Sequence, residues 1–113
     1  MTQPRSPAET VLEYFERIRG RDPAVAELFD ESGELIGLGG VTSGRDAIRD
    51  FYADSIAHAS PTPELTGDLL VSGSRVAAEI RIQLADGTSM HVVDLFHVED
   101  ELIRTLTYFV ADH

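Results

Sequence analysis

This 113-residue chain has no cysteine and few basic residues. Without cysteine there is no disulfide framework and no thiolate metal site. That fits a reducing compartment, and the cytoplasm is the expected location. Lys and Arg together number 9 against 20 Asp and Glu, a formal net charge of −11. An acidic surface repels phosphate backbones and anionic headgroups alike, so neither nucleic acid nor a membrane is an expected partner. No apolar run reaches the length of a membrane span, and the first residues lack the apolar core of a signal peptide. Gly39, Gly40 and Gly44 are followed by no lysine and complete no strand–loop–helix phosphate cradle. His58, His91, His97 and His113 show no metal-ligand spacing, so neither a metal nor a cofactor is expected.

The composition, 42% hydrophobic and 26% charged, is that of an ordinary globular protein. At this length a single domain over 1–113 is expected. Ser6-Pro7-Ala8-Glu9 combines an N-cap, a proline at the first helical position and a glutamate placed for a capping box. Ala8, Val11, Leu12, Phe15 and Ile18 then recur at helical spacing until Gly20. Asp22-Pro23 starts a short second helix with Val25, Leu28 and Phe29 inward, which Ser32-Gly33 ends. Glu34 to Leu38 is a short strand, and Gly39-Gly40 leads to a third helix capped by Ser43, with Ile48, Phe51, Tyr52 and Ile56 buried. Ser60-Pro61-Thr62-Pro63 stops that helix. Strands follow over Glu64–Val71, Arg75–Leu84, Ser89–Val98 and Leu102–Val110, with Asp86-Gly87 suited to a tight hairpin turn. Helices packed on one face of a mostly antiparallel, curved sheet make an α+β class with a conical hollow between the layers.

One residue conflicts with its surroundings. Asp94 lies in the apolar strand Met90-His91-Val92-Val93-Asp94-Leu95-Phe96, and alternation puts it on the face of Met90, Val92, Phe96 and Val98. An unpaired charge there would cost several kcal/mol. Asp94 must therefore be paired, protonated or open to a cavity, and the last two point to a small-molecule site.

Val11-Leu12-Glu13-Tyr14-Phe15, Asp22-Pro23 before Leu28-Phe29, the run from Ser43 to Tyr52, and Val92-Val93-Asp94-Leu95-Phe96 before Ile103 together resemble the NTF2-like superfamily, in its ketosteroid isomerase and SnoaL-like branch. The resemblance spans nearly the whole chain and implies the conical α+β fold. Ketosteroid isomerase uses an aspartate base with an oxyanion hole of a tyrosine and a protonated aspartic acid. Laid on this sequence, the resemblance puts the oxyanion tyrosine at Tyr14, the protonated acid at Asp94 and a supporting tyrosine at Tyr52. The base position falls on Gly37, which has no side chain, with Glu34 on the opposite strand face and His58 near the pocket mouth. Phe15, Gly37, Phe51, Met90, Phe96, Leu106 and Val110 are then the expected ligand contacts.

The implied ligand is a small apolar carbonyl compound, steroid-like or polyketide-like, and the implied activity is that of a ketosteroid-isomerase-like isomerase or a SnoaL-like cyclase. An epoxide hydrolase of the limonene type needs an arginine two residues before the strand aspartate, where this chain has Val92. The same fold also serves as a non-catalytic ligand carrier or dimerisation module. Glu79, Arg81 and Gln83, alternating with Ile80, Ile82 and Leu84, form an outer sheet face through which a homodimer is expected. Arg45 and Arg49, one helical turn apart among Asp46 and Asp50, read as a solvated face.

Overall fold

The computed structural model describes residues 3–111, so His113 lies outside the described residues. Helix α1 spans Pro7–Arg19 and begins as its sequence dictates. The Glu9 amide donates to Ser6 Oγ at 3.1 Å, and the Ser6 amide donates to the Glu9 carboxylate at 2.8 Å. Its inner face carries Val11, Tyr14, Phe15 and Ile18, whereas Leu12, expected inside, is 45% exposed. The second helix is a single 3₁₀ segment, Pro23–Leu28, capped by Asp22.

Strand β1 then runs over Phe29–Gly37. It passes straight through Ser32-Gly33, where the sequence suggested a break. The turn chemistry there is real but builds a bulge. The Asp30 carboxylate accepts from the Ser32 amide and hydroxyl, and the pairing of β1 with the last strand shifts register between Phe29 and Glu34. A Cβ on Gly33 would meet the carbonyl oxygens of Asp30 and Ile103 at 3.0 and 3.1 Å, which suits a glycine at this crowded point.

Strand β2, Gly40–Ser43, was expected to be a loop. It pairs with β1 through a two-residue turn at Leu38-Gly39, both with positive φ, the conformation that matches strand twist in tight hairpins. Helix α2 covers Arg45–Ala59, one residue later than its expected cap implied: Gly44 is the N-cap and Ser43 ends β2. In place of a side-chain cap, the Arg45 guanidinium donates twice to the Phe29 carbonyl, at 2.9 and 2.8 Å, tying α2 to the start of β1. Arg45 is therefore more than a solvated charge. Ser60 ends the helix in the left-handed conformation.

The remaining strands are β3 (Thr62–Leu65), β4 (Leu70–Ser72), β5 (Arg75–Gln83), β6 (Ser89–Glu99) and β7 (Leu102–Val110). The single strand expected over Glu64–Val71 is thus two short ones, both paired with β5. The β5–β6 connection runs over residues 84–88, longer than a two-residue turn, and the Asp86 carboxylate holds it by accepting from the Thr88 amide and hydroxyl.

The seven strands form one mixed sheet in the order β2-β1-β7-β6-β5-β3, with β4 beside β3's position on β5. All neighbours are antiparallel except β1 and β7. The class is α+β, as the sequence implies. The sheet is nonetheless open rather than strongly curled, because β2 and β3 each pair on one side only and end it as separate edges. Two α-helices and a 3₁₀ turn replace the three N-terminal helices, with β1 and β2 interposed before α2. Among the described residues no helix is long and apolar enough to cross a membrane.

A candidate ligand cavity around Asp94

Between the helices and the inner sheet face lies a cavity of about 280 Å³. Its walls come from every layer. Helix α1 supplies Tyr14, Phe15 and Ile18, and α2 supplies Phe51, Tyr52, Ser55 and Ala59. Leu35 and Leu38 come from β1 and its turn, Ile80 and Ile82 from β5, Met90, Val92 and Asp94 from β6, and Leu106 and Tyr108 from β7. Leu38, 74% exposed, and Phe51, 37% exposed, stand where the cavity meets solvent.

Alternation along β6 sets the floor. Val92, Asp94, Phe96 and Val98 all point inward and are buried. Asp94 is 5% exposed and no hydrogen bond reaches its carboxylate among the described residues. Burial alone pushes its pKa up to about 7. Paired directly against it on β7 is Tyr108, and on β5 Ala78.

Two neighbouring hydroxyls, those of Tyr14 and Tyr52, could satisfy Asp94 internally. The structure uses neither. The Tyr14 and Tyr52 hydroxyls bond each other at 2.7 Å. When Tyr52 is the donor of that pair, the Tyr14 hydrogen is left for a ligand. Burial pushes the pKa of both hydroxyls upward, and the nearby Asp94 charge adds to the rise. Both therefore stay protonated donors through the neutral range. Edge-to-face packing holds the Tyr14 ring, with Phe15 and Phe96 centroids each 5.1 Å away.

Four of the expected contacts, Phe15, Phe51, Met90 and Leu106, line the cavity together with Tyr14, Tyr52 and Asp94. Phe96, Val110 and Gly37 do not. Phe96 is wholly buried beneath the Tyr14 and Phe15 rings, and Val110 packs at the edge of the core. Gly37 lies under another residue. A Cβ built there would stand 2.6 Å from Cζ of Tyr108 and 2.7 Å from Cε1 and Cε2. The Tyr108 ring fills the space that a side chain at position 37 would need.

Sequence reading passed over Tyr108, although alternation puts it on the face of Leu106 and Val110. Its pKa is also raised, by burial and then by the Asp94 charge. Glu34 faces away from Leu35 and Gly37 and does not line the cavity. The exposed His58 ring donates from Nδ1 to the Asp54 carbonyl at 2.9 Å and lies outside the cavity too. Asp94 is thus the one acid in the wall, with no basic group beside it among the described residues. No group of three His, Asp or Glu side chains among them could hold a metal ion.

The comparisons agree with this architecture. No curated protein matches the chain by sequence. An NTF2-like protein of unknown function from Cytophaga hutchinsonii superposes with a TM-score of 0.84 at 17% identity, over 98% of this chain and 95% of that one. A protein from Sphaerobacter thermophilus gives 0.82 at 27% identity, over 96% and 98%. A protein with a ketosteroid isomerase-like fold from Catenulispora acidiphila, solved in complex with trimethylamine, gives 0.80 at 19% identity, over 89% and 84%. The family described as the SnoaL-like domain matches residues 11–106, so the chain belongs to that family, and its fold is that of the NTF2-like protein above.

Proposed function

We propose that the cavity binds a small, mostly apolar carbonyl compound and holds its oxygen between the Tyr14 hydroxyl and protonated Asp94. The observation that carries this reading is Asp94 itself, a buried acid on the cavity floor with no internal partner and a pKa near neutrality. Buried polar groups are ordinarily satisfied, so an unpartnered one facing a cavity is a place for a ligand atom. A neutral carboxyl and a tyrosine hydroxyl can both donate to one oxygen, and such donors gain strength as negative charge develops there. That arrangement favours the enolate of the bound compound. The trimethylamine held by the Catenulispora relative supports a small-molecule cavity on this fold.

Equilenin, a fluorescent phenolic steroid whose phenolate resembles an enolate, tests the reading. Wild type is expected to bind it with micromolar or tighter affinity, and Tyr14→Phe combined with Asp94→Asn is expected to weaken binding by about tenfold or more. Equal binding by both proteins would contradict it.

One observation favours a second reading, a non-catalytic carrier. The Tyr108 ring closes off Gly37, the position that would bear the base, and among the described residues no second carboxylate or imidazole joins Asp94 in the wall. Positioned bases typically contribute ~10²–10⁴-fold to such reactions. Deuterium exchange at the α-carbon of a bound ketone separates the two readings: acceleration supports enolisation, and its absence supports a carrier.

The outer sheet face, with Glu79, Arg81 and the 54% exposed Phe109, is proposed as a homodimer surface. Light scattering at micromolar concentration is expected to give twice the 12.4 kDa chain mass, and a monomer would contradict the proposal.

A further inference from the structure

We propose that the same cavity also binds small apolar amines as their ammonium ions, with Asp94 as the counter-ion and the surrounding aromatic rings as the wall. The proposal shares the cavity with the carbonyl reading but needs Asp94 in the opposite protonation state. It rests on what surrounds the carboxylate. Asp94 is more than nine-tenths buried, faces the cavity, and accepts no hydrogen bond from the described residues. Among the described residues no arginine or histidine lines the cavity, and the chain contains no lysine. An ionised Asp94 therefore has no internal cation, and a buried charge of this kind is costly without a partner. A ligand ammonium is such a partner, and its N–H groups make charge-assisted hydrogen bonds to a carboxylate.

The rest of the wall suits a cation carrying apolar substituents. Tyr14, Phe15, Phe51, Tyr52 and Tyr108 line the cavity, and aromatic faces within ~6 Å of a cation attract it more strongly once water is excluded. The tyrosine oxygens can accept further N–H groups. Phosphate or carboxylate ligands are disfavoured by the same wall, which offers a negative charge and no positive one.

The groups facing Asp94 are few, so the pH dependence is clean. They are Tyr14 from α1, Tyr52 from α2 and Tyr108 from β7, with Ala78 opposite on β5. All three tyrosines are pushed above the ordinary phenol range, which leaves Asp94, among the described residues, as the one cavity group titrating between pH 6 and 8. With its pKa at about 7, the ionised fraction of Asp94 rises about tenfold over that interval. An alkylamine, with a pKa of ~10.4 like that of a lysine side chain, stays cationic throughout. Amine binding is therefore expected to tighten with pH. A ketone, which can only accept, needs the protonated acid and is expected to weaken.

Calorimetric titration of the full chain with cyclohexylamine and, separately, with cyclohexanone tests this at pH 6 and pH 8. The expected result is amine binding about tenfold tighter at pH 8, and ketone binding about tenfold tighter at pH 6. Asp94→Asn should weaken the amine at pH 8 by tenfold or more. That variant keeps 19 of the 20 acidic residues, so amine attraction to the acidic surface at large would survive in it. Amine binding that is absent, that is unchanged by Asp94→Asn, or that falls from pH 6 to pH 8 would overturn the proposal. The wild-type pH profile decides the matter even if the variant does not fold. Ketone binding without amine binding would overturn this inference alone and leave the carbonyl reading standing.

Discussion

At pH 8 the Asp94→Asn protein is expected to unfold roughly 15–20 °C above the wild type. The physical cause is the cost of ionising Asp94 inside the fold. In the unfolded chain an aspartate loses its proton near pH ~3.9. Burial in the folded protein delays that loss to about pH 7. Below pH ~4 both states hold the proton and the group contributes nothing to the pH dependence. Between these two values the folded state binds the extra proton, so wild-type stability falls as pH rises. Above pH 7 the loss is complete. At ~1.36 kcal/mol per pH unit it totals ~4 kcal/mol.

Asparagine has nearly the same shape and cannot ionise, so the variant escapes this loss. Urea unfolding of both proteins from pH 5.5 to 8.5 would check it. The gap is expected to be ~4 kcal/mol above pH 7 and to narrow by about 1.4 kcal/mol for each pH unit below it. Comparing the two proteins at each pH removes the contribution of the other 19 acidic residues. A constant gap would mean that Asp94 does not change protonation between the folded and unfolded states in this range.

The second large effect is expected at Gly37. The glycine's φ is not positive, so Gly37→Ala tests space alone. The new Cβ would stand 2.6 Å from the Tyr108 ring, closer than real Cβ contacts come. Either the ring tilts into the cavity or β1 moves away from β7, and overpacking of this kind typically costs ~1–3 kcal/mol. Tyr108→Ala removes the obstacle. In a double-mutant cycle the alanine at 37 is therefore expected to be nearly neutral once Tyr108 is gone, a coupling of about 1–3 kcal/mol. Additive effects would show that the ring does not rest on Gly37. The same contact means that Gly37→Asp alone cannot install a base at this position, whereas Gly37→Asp with Tyr108→Ala has room for one.

Much of this was legible in the chain. The start of α1 follows from Ser6, Pro7 and Glu9, because capping is local chemistry fixed by spacing. The inward face of β6, and Asp94 on it, follows from strict alternation. The bounds of β7 follow from an apolar run between turn residues. Features that depend on distant pairing were not legible. Leu38-Gly39 lacks the usual signature of a primed turn, because leucine rarely adopts positive φ, so β2 read as loop. Asp30-Ser32-Gly33 carries real turn chemistry, and only the partnership of β1 with β7 turns it into a bulge.

Tyr108 shows where the limit lies. Its inward direction could be read from its spacing with Leu106 and Val110. Its contact with Gly37 could not, since nothing local says that β1 runs parallel beside β7. The likeness to ketosteroid isomerase pointed to Tyr14, Tyr52 and Asp94, each on its own helix or strand, and all three line the cavity. It was silent on what covers Gly37, because that space is filled from another strand.

The most direct test of the account is the titration of Asp94 itself. Its carboxyl carbon can be followed by carbon-13 NMR from pH 3 to pH 9, in wild type alone and with a saturating small amine. The account predicts a midpoint near pH 7 for the free protein, and a fall of that midpoint when the ammonium ion binds. A midpoint near pH 4 in the free protein would mean that Asp94 is solvated or paired after all, and would contradict the central claim that an unpartnered acid waits on the cavity floor for a ligand.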